Sequence, residues 1–199
     1  ETGTVDGEEV RQYPYENMFS HIVGYSTRGK TGLESLANYD LINTSASASE
    51  QAQNAAAGVK NPGNNLVTTL DVTLQEAAYN AMGLYEGAIV VMEPSTGKIL
   101  AMVSKPDFDP NEIAQEWENL NQEGSSVLLN RASQGLYPPG STFKMITALE
   151  YIREHPDDWE NYTWQCSGSY THGDTTIRCY HGSSHASLDF MHSFAESCN

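Results

Sequence analysis

Ser141 and Lys144 are the residues whose types and spacing are best suited to chemistry. They lie in residues 137–144, which read YPPGSTFK. Positions i and i+3 share one face of a helix, so a helix that begins here would bring the lysine amine to the serine hydroxyl. The helix N-terminus also offers backbone N–H groups to developing negative charge. The pair therefore predicts a nucleophilic serine with a lysine base.

Ser-x-x-Lys is a weak signal by itself, because about one match is expected by chance in a chain of this length. A second match, Ser95 to Lys98, lies in a predicted hairpin turn, where no helix aligns the two side chains. At Ser141, the preceding Pro-Pro-Gly cannot continue a helix backwards, so a helix can open there. The plainer alternative is a capping serine followed by a surface lysine.

Hydrophobic patterns predict the elements that would position this pair. Apolar spacings of three and four predict a helix over residues 141–155. Residues 87–92 and 99–103 are apolar runs on either side of a turn, which predicts an antiparallel hairpin. Ser187 or Asp189 can open a last helix near the end of the chain. Helices with an antiparallel hairpin indicate an α+β fold.

The organisation of the chain changes near residue 65. Residues 43–65 are rich in Ser, Ala, Gln, Asn and Gly and are the best candidate for a linker or loop. A new unit then begins with a predicted strand over residues 66–70. Asp71 or Thr73 can cap the helix that follows.

The composition is strongly acidic, with 10 Lys and Arg against 26 Asp and Glu and a formal net charge of −16. Phosphate neutralisation needs clustered basic residues, so nucleic-acid binding is not expected. No stretch reaches the roughly 18 apolar residues of a membrane span. The first residues read as an internal start, so the absence of an anchor here says little about a longer parent protein.

Residues 24–31 (GYSTRGKT) match the P-loop pattern in full. Phe19, Ile22 and Val23 predict a short strand before it. A P-loop belongs to a parallel sheet with helical crossovers, whereas the strong strand pair here is a tight antiparallel hairpin. Nucleotide binding is therefore the weaker interpretation.

A tract near the end of the chain is rich in Cys and His: Cys166, His172, Cys179, His181, His185 and His192. Cys166 and Cys179 could form a disulfide outside the cytosol, which would leave Cys198 over. Zinc is an alternative, although the spacing matches no regular finger. Ordinary polar loop histidines are the plainer interpretation.

The order of motifs along the chain resembles the penicillin-binding proteins, specifically the class B (monofunctional) transpeptidases. The hairpin at residues 87–103 resembles the first sheet hairpin of their transpeptidase domain. Residues 29–34 (GKTGLE) resemble the Gly-x-x-Gly-Leu-Glu element of their non-catalytic pedestal domain, which also accounts for the P-loop match. The other matches follow in the family's order: Asn130-Arg131-Ala132, residues 137–144, Cys166-x-Gly168, Cys179, His181-Gly182, His185 and Ser197-Cys198-Asn199.

The resemblance implies a role for four residues. Ser141 would attack the carbonyl of the terminal D-Ala-D-Ala bond of a peptidoglycan stem peptide, with Lys144 as the base. Ser197 would relay a proton to the leaving amine, and Asn199 would hold the substrate amide and orient Lys144. An amine of a neighbouring stem peptide would resolve the acyl-enzyme, and β-lactam antibiotics would acylate the same serine as covalent inhibitors. No metal ion and no organic cofactor are implied.

The resemblance also implies a partial β-lactamase/transpeptidase-like fold, with helices on an antiparallel sheet. Residues 1–65 would be part of the N-terminal pedestal or dimerisation domain with its linker, and residues 66–199 the N-terminal portion of the transpeptidase (penicillin-binding) domain. The family's Lys-Thr-Gly follows Ser-x-Asn, whereas the only such tripeptide here is Lys30-Thr31-Gly32. We therefore expect a fragment that is inactive alone.

The expected parent protein is anchored by an N-terminal transmembrane helix at the extracytoplasmic face of the bacterial cell membrane, with other cell-wall synthesis proteins as partners. Two other functions stay open. A β-lactam sensor or β-lactamase uses the same nucleophile, although the pedestal element argues against it. A non-catalytic interaction module of the wall-synthesis machinery is the second alternative.

Overall fold

The strands pair two by two into antiparallel sheets in the computed structural model, which describes residues 1–5 and 8–199. The described strands are, in chain order, β1 (Thr2–Val5), β2 (Glu8–Arg11), β3 (Gly87–Met92), β4 (Ile99–Lys105), β5 (Thr163–Cys166), β6 (Ser169–His172), β7 (Thr175–Arg178) and β8 (Ala186–Asp189). The pairs are β1 with β2, β3 with β4, β5 with β8, and β6 with β7.

Helices lie between and after these strand pairs along the chain, so the α+β class expected from the sequence is confirmed. They are α1 (Ser20–Val23), α2 (Gly32–Leu36), α3 (Asn38–Ile42), α4 (Ala48–Ala57), α5 (Val72–Met82), α6 (Ile113–Leu120), α7 (Lys144–Glu154) and α8 (Phe190–Ala195). Short 3₁₀ turns lie at Glu16–Phe19, Gly140–Phe143, Trp159–Asn161 and Tyr180–Gly182. Across the described residues, no helix combines the length and apolar character needed to cross a membrane.

The chain divides into two compact units, Glu1–Leu136 and Tyr137–Asn199. The boundary between the two units follows Leu136 and does not fall between residues 65 and 66. The segments on either side of residue 65 contact each other within the first unit. The backbone of Tyr13, for example, exchanges two hydrogen bonds with the side chain of Asn111, at 3.0 and 3.1 Å. The assignment of residues 1–65 to a pedestal domain and of residues 66–199 to a transpeptidase domain stays a prediction.

The hairpin β3–β4 packs on α5 in the first unit. Ala101 and Val103 of β4 are buried against Ala78 and Met82 of α5. The helix begins where the sequence indicates, because the Asp71 carboxylate accepts a hydrogen bond from the Leu74 N–H at 2.9 Å. The predicted hairpin and the predicted helix are therefore both confirmed, and they pack against each other.

Gln75 joins α5 to the free edge of β4. Its side chain is completely buried. The amide nitrogen donates to the carbonyl oxygens of Met18 and Met102, at 2.7 and 2.8 Å, and the amide oxygen accepts from the Met102 N–H at 2.8 Å. The side chain thus pairs with the outward-facing backbone groups of Met102 as a neighbouring strand would.

In the second unit, an aromatic cluster connects α7 to α8. The ring of Phe190, the first residue of α8, stacks on Tyr151 of α7 with centroids 5.6 Å apart. Trp159 and Tyr162 meet Phe190 edge-on, at 5.2 and 6.1 Å. Aromatic pairs of this geometry add about 0.5–1.5 kcal/mol each beyond their buried area. The cluster therefore fixes the helix that begins at Lys144 against the helix that precedes Ser197.

Candidate active site

Ser141 and Lys144 lie where a 3₁₀ turn passes into a helix. Ser141 is the second residue of the turn Gly140–Phe143, and Lys144 is the first residue of α7. A 3₁₀ turn has three residues per turn, so positions i and i+3 are eclipsed. The local backbone therefore turns both side chains to the same side. The helical segment begins at Gly140, one residue before the start that the sequence pattern indicates.

Ser197 lies between the hydroxyl of Ser141 and the amine of Lys144. Its Oγ is 3.1 Å from Ser141 Oγ and 2.9 Å from Lys144 Nζ. The lysine amine also donates to the Ser197 carbonyl oxygen. The three side chains form a line of polar atoms, amine to hydroxyl to hydroxyl, along which a proton can move.

The turn after α8 positions Ser197. Of the two residues that the sequence offers as caps, Ser187 and Asp189, it is Asp189 that caps this helix by accepting a hydrogen bond from the His192 N–H at 2.7 Å. The helix ends at Ala195, and the N–H groups of Ser197 and Cys198 then bond back to Phe194 and Ser193 at 3.1 and 3.0 Å. Ser197 takes a left-handed conformation with φ 52°.

A left-handed conformation costs a residue with a side chain about 1–3 kcal/mol, so neighbouring contacts must hold it. Such strain is common at functional sites. Ser197 and Ser141 are both exposed, and Lys144 is half-buried. The line of polar atoms is therefore accessible to a substrate.

Asn199 is placed differently from the other three predicted site residues. Its side-chain amide donates to the Arg178 carbonyl oxygen at 2.6 Å. The structure thus brings Ser141, Lys144 and Ser197 together and places the Asn199 side chain against the end of β7.

Next to this turn, three thiols and one imidazole meet. The ligand atoms of Cys166, Cys179, His185 and Cys198 all lie within 4.8 Å of one another. Cys166 and Cys179 are buried, and none of the three cysteines is in a disulfide. Sequence reasoning treated Cys198 as left over and missed its place in this cluster.

The thiols of the cluster differ in acidity. Hydrogen bonds from the His185 and Gly168 backbones, and from the His185 side chain, lower the pKa of Cys166 to about 6. Burial, with hydrogen bonds to the two other thiols, raises the pKa of Cys198 to about 12. The Cys166 thiol is therefore more acidic than the Cys198 thiol.

The competing motifs take other roles. Ser95 lies in the tight turn of the β3–β4 hairpin, which a hydrogen bond from the Gly97 N–H to the Glu93 carbonyl closes at 2.8 Å. The P-loop match follows the helix α1 rather than a strand, and Lys30 donates to the side chain of Asn38. Neither segment has the context that its motif needs.

The comparisons with known proteins agree with the motif order. The family model described as the penicillin binding protein transpeptidase domain matches residues 87–199. Two relatives carry the name peptidoglycan D,D-transpeptidase PbpA. The one from Mycobacterium tuberculosis is 32% identical over 209 residues and covers 96% of this chain and 43% of its own length. The one from Mycolicibacterium smegmatis is 38% identical over 161 residues, and the match covers 72% of this chain and 33% of the relative's length.

A solved structure has the same fold over the whole chain. It is the penicillin G acyl-enzyme complex of penicillin-binding protein A from M. tuberculosis, with a TM-score of 0.84 and 29% identity, and the match covers 100% of this chain and 50% of that one. This likeness confirms the expected partial transpeptidase fold. The chain therefore spans half or less of the length of these similar proteins.

Proposed function

Because this chain belongs to the penicillin-binding protein transpeptidase family, we propose that its full-length protein is a class B D,D-transpeptidase that cross-links the stem peptides of peptidoglycan. The observation that carries the proposal is the line from Ser141 through Ser197 to Lys144, with its 3.1 and 2.9 Å contacts. A serine hydroxyl is a weak nucleophile until a base takes its proton. The line connects this hydroxyl to an amine that can serve as the base.

The first half of the reaction acylates Ser141. Its Oγ forms a bond to the carbonyl carbon of the penultimate D-alanine, while its proton passes through Ser197 Oγ to the amine of Lys144, which acts as the base. The carbon–nitrogen bond then breaks, and the proton returns through Ser197 to the departing D-alanine amine. Positioned proton transfer of this kind typically contributes about 10²–10⁴-fold to a rate.

The second half transfers the acyl group. The amine of a neighbouring stem peptide attacks the ester and loses a proton along the same line, and Ser141 Oγ leaves with a proton. A β-lactam carries out only the first half, because its opened ring stays attached to the serine. The related M. tuberculosis protein has been solved as a penicillin G acyl-enzyme, which supports this chemistry for the present chain.

The remaining parts of the proposal follow from the family. Asn199 holds the substrate amide beside Ser141 and orients Lys144 when substrate is present. Residues 1–65 belong to the pedestal domain and residues 66–199 to the transpeptidase domain. The protein works on the extracytoplasmic side of the membrane, held by an N-terminal anchor, with other wall-synthesis proteins as partners.

Covalent labelling of the full-length protein with a fluorescent penicillin tests this proposal. We expect a stable band that Ser141→Ala abolishes. Ser95→Ala is the matched control, because Ser95 starts the other Ser-x-x-Lys match, and this variant should label normally. A band that survives Ser141→Ala contradicts the assignment of the nucleophile.

Two further assays separate transpeptidation from related chemistry. The full-length protein should join two synthetic stem peptides with loss of D-alanine, and it should turn over a chromogenic cephalosporin only slowly. Rapid cephalosporin turnover without cross-linking would instead indicate a β-lactamase.

A further inference from the structure

We propose that Arg178 binds a side-chain carboxylate of the stem peptide, so that the protein prefers a peptide with this free acid to one with a carboxamide in its place. This preference rests on the proposed function, because it names which stem peptides the same site accepts. Three observations support it: the charges of the second unit, the contact between Arg178 and Asn199, and the polar face of the hairpin β6–β7.

Arg178 is a cation without a carboxylate partner among the described residues. The second unit contains eight Asp and Glu residues but only three Lys and Arg residues, which are Lys144, Arg153 and Arg178. Lys144 donates to Ser197, and Arg153 forms an ion pair with Glu150. In an acidic unit whose two other cations are engaged, the guanidinium of Arg178 is the one available to an anionic ligand.

The backbone of Arg178 lies against the candidate active site. Its carbonyl oxygen accepts a hydrogen bond of 2.6 Å from the side-chain amide of Asn199. Asn199 is two residues after Ser197, whose Oγ is 3.1 Å from that of Ser141. A second contact, from the Asn199 N–H to the Cys179 sulfur at 3.5 Å, connects the same two segments. The end of β7 therefore stands beside the residues that are proposed to hold the peptide.

The side chain of Arg178 points away from the buried sulfur atoms. Cys179 continues the extended backbone of β7, with φ −66° and ψ 160°, and its own side chain is buried. Successive residues of an extended chain point to opposite sides. Arg178 is exposed, so its guanidinium can meet a ligand in solvent.

The face of the hairpin that carries Arg178 is polar. Arg178 lies opposite Ser169, and Thr176 lies opposite Thr171. Residues two apart on a strand share a face, so this face holds three hydroxyl groups and the guanidinium. The two threonine hydroxyls bond to each other at 2.9 Å. A planar guanidinium can donate two parallel hydrogen bonds to a carboxylate, which suits this face to a carboxylate rather than to an apolar group.

A stem peptide can offer carboxylates of two kinds. One belongs to the terminal D-alanine and leaves with it during acylation. The other belongs to a side chain earlier in the peptide and exists as the free acid or as a carboxamide. Asn199 is proposed to hold a substrate amide, so Arg178 beside it meets the part of the peptide that stays bound after D-alanine leaves. A carboxamide in that position carries no charge and cannot accept both hydrogen bonds of the guanidinium.

Equilibrium binding of two synthetic stem peptides that differ only in this group tests the preference. The full-length protein with Ser141→Ala binds them without turnover, and a fluorine label on each peptide reports weak binding by NMR. We expect the free acid to bind about 10-fold more tightly, at the lower end for a charge-assisted hydrogen bond, because Arg178 is exposed. Added salt should reduce this difference, because it screens exposed charges.

Three variants assign the preference to one side chain. Arg178→Gln should bind the two peptides equally, whereas Arg178→Lys should keep part of the difference, because it keeps the charge without the planar fork. The contact with Asn199 uses the backbone carbonyl of Arg178, so neither variant removes it. Arg153→Gln is the matched control, because this arginine of the same unit pairs with Glu150, and it should keep the full difference.

The comparison of the two peptides on the protein that retains Arg178 covers the case in which a variant fails to fold. Equal binding of the two peptides, no binding of either, or a preference that survives Arg178→Gln overturns the proposal. If penicillin labels Ser141 while the two peptides bind equally, the proposed function stands and the carboxylate preference fails. If the preference is found but penicillin does not label the protein, the carboxylate site stands and the proposed function fails.

Discussion

Replacement of Gln75 by leucine tests how the segments on either side of residue 65 are joined. The Gln75 amide is fully buried and makes three hydrogen bonds of 2.7–2.8 Å, one to Met18 and two to Met102. Leucine has a similar volume, so the packing around the side chain changes little. The substitution removes the partners of two carbonyl groups and one N–H group.

The expected loss of stability follows from these three groups. A buried backbone group without a partner costs about 1–3 kcal/mol. The lower part of this range is appropriate, because the Met18 segment can shift towards water, and the sum is about 3–5 kcal/mol. For a chain of this size, each kcal/mol lowers the unfolding midpoint by about 2–4 °C, so the midpoint should fall by about 6–20 °C.

Urea and thermal unfolding, followed by circular dichroism, measure this loss. Gln115→Leu is the control, because Gln115 is exposed on α6, and it should change stability by less than about 0.5 kcal/mol. A loss below about 1 kcal/mol for Gln75→Leu would show that the three hydrogen bonds contribute little to stability. It would mean that Met18 and Met102 find other partners and that Gln75 does not join the two segments.

Ser197, the Arg11–Glu34 ion pair and His21 each offer a further test. Ser197→Ala should slow acylation of the full-length protein by penicillin by about 10²–10⁴-fold in stopped-flow labelling, with non-covalent binding little changed, because the proton loses its path to Lys144; an unchanged rate contradicts the relay. Arg11→Met should lower the free energy of unfolding in urea by about 3 kcal/mol, because it leaves the Glu34 carboxylate, whose side chain is only 7% exposed, buried without its ion-pair partner. Glu34→Gln should cost less, because the Arg11 side chain that it leaves unpaired is 27% exposed. Equal losses for the two variants contradict this. Burial lowers the pKa of His21, and the Pro106 carbonyl and Asp107 oppose this effect only in part. As the pH falls below about 6.5, the His21 imidazole therefore becomes protonated in the unfolded chain before it does so in the folded chain. The free energy of unfolding should therefore fall below that pH, and His21→Gln should flatten this part of the pH profile.

Local signals in the sequence predict much of what supports the site. The hairpin at residues 87–103 follows from two apolar runs around a turn, and the caps Asp71 and Asp189 follow from side chains that satisfy the first N–H groups of a helix. Each of these signals acts within a few residues. The structure confirms the hairpin and both caps.

The predicted strand at Phe19, Ile22 and Val23 is wrong, because the segment is a 3₁₀ turn followed by α1. Phe19, Ser20 and His21 are buried in succession, which the alternation of a strand does not allow. Contacts far along the chain hold this turn, including the hydrogen bond between the His21 ring and the Pro106 carbonyl at 2.9 Å. Such contacts leave no pattern in the local sequence.

Residues 66–70 were also expected to form a strand and are irregular. Thr69 and Asp71 reach the β4 edge through single hydrogen bonds, at 2.6 Å to Ile99 and 2.8 Å to Leu100. Gln75 occupies the next position along that edge, at Met102. A continuous ladder therefore has no room to form.

The candidate site also combines features that the local sequence predicts with features that depend on long-range contacts. The spacing of Ser141 and Lys144 is local, and the sequence was enough to pair them. The position of Ser197 between them depends on the aromatic cluster that holds α7 against α8. The meeting of Cys198 with Cys166, Cys179 and His185 depends on four segments. Both are properties of the folded unit.

Peptide mapping of the full-length protein after reaction with penicillin G identifies the nucleophile. We expect a single penicilloyl adduct, carried by Ser141 in the peptide that contains residues 137–144. The Lys144→Met variant should form the same adduct more slowly. An adduct on Ser197 or Ser95, or no adduct at penicillin concentrations that label other members of the family, would contradict the assignment of Ser141 as the nucleophile.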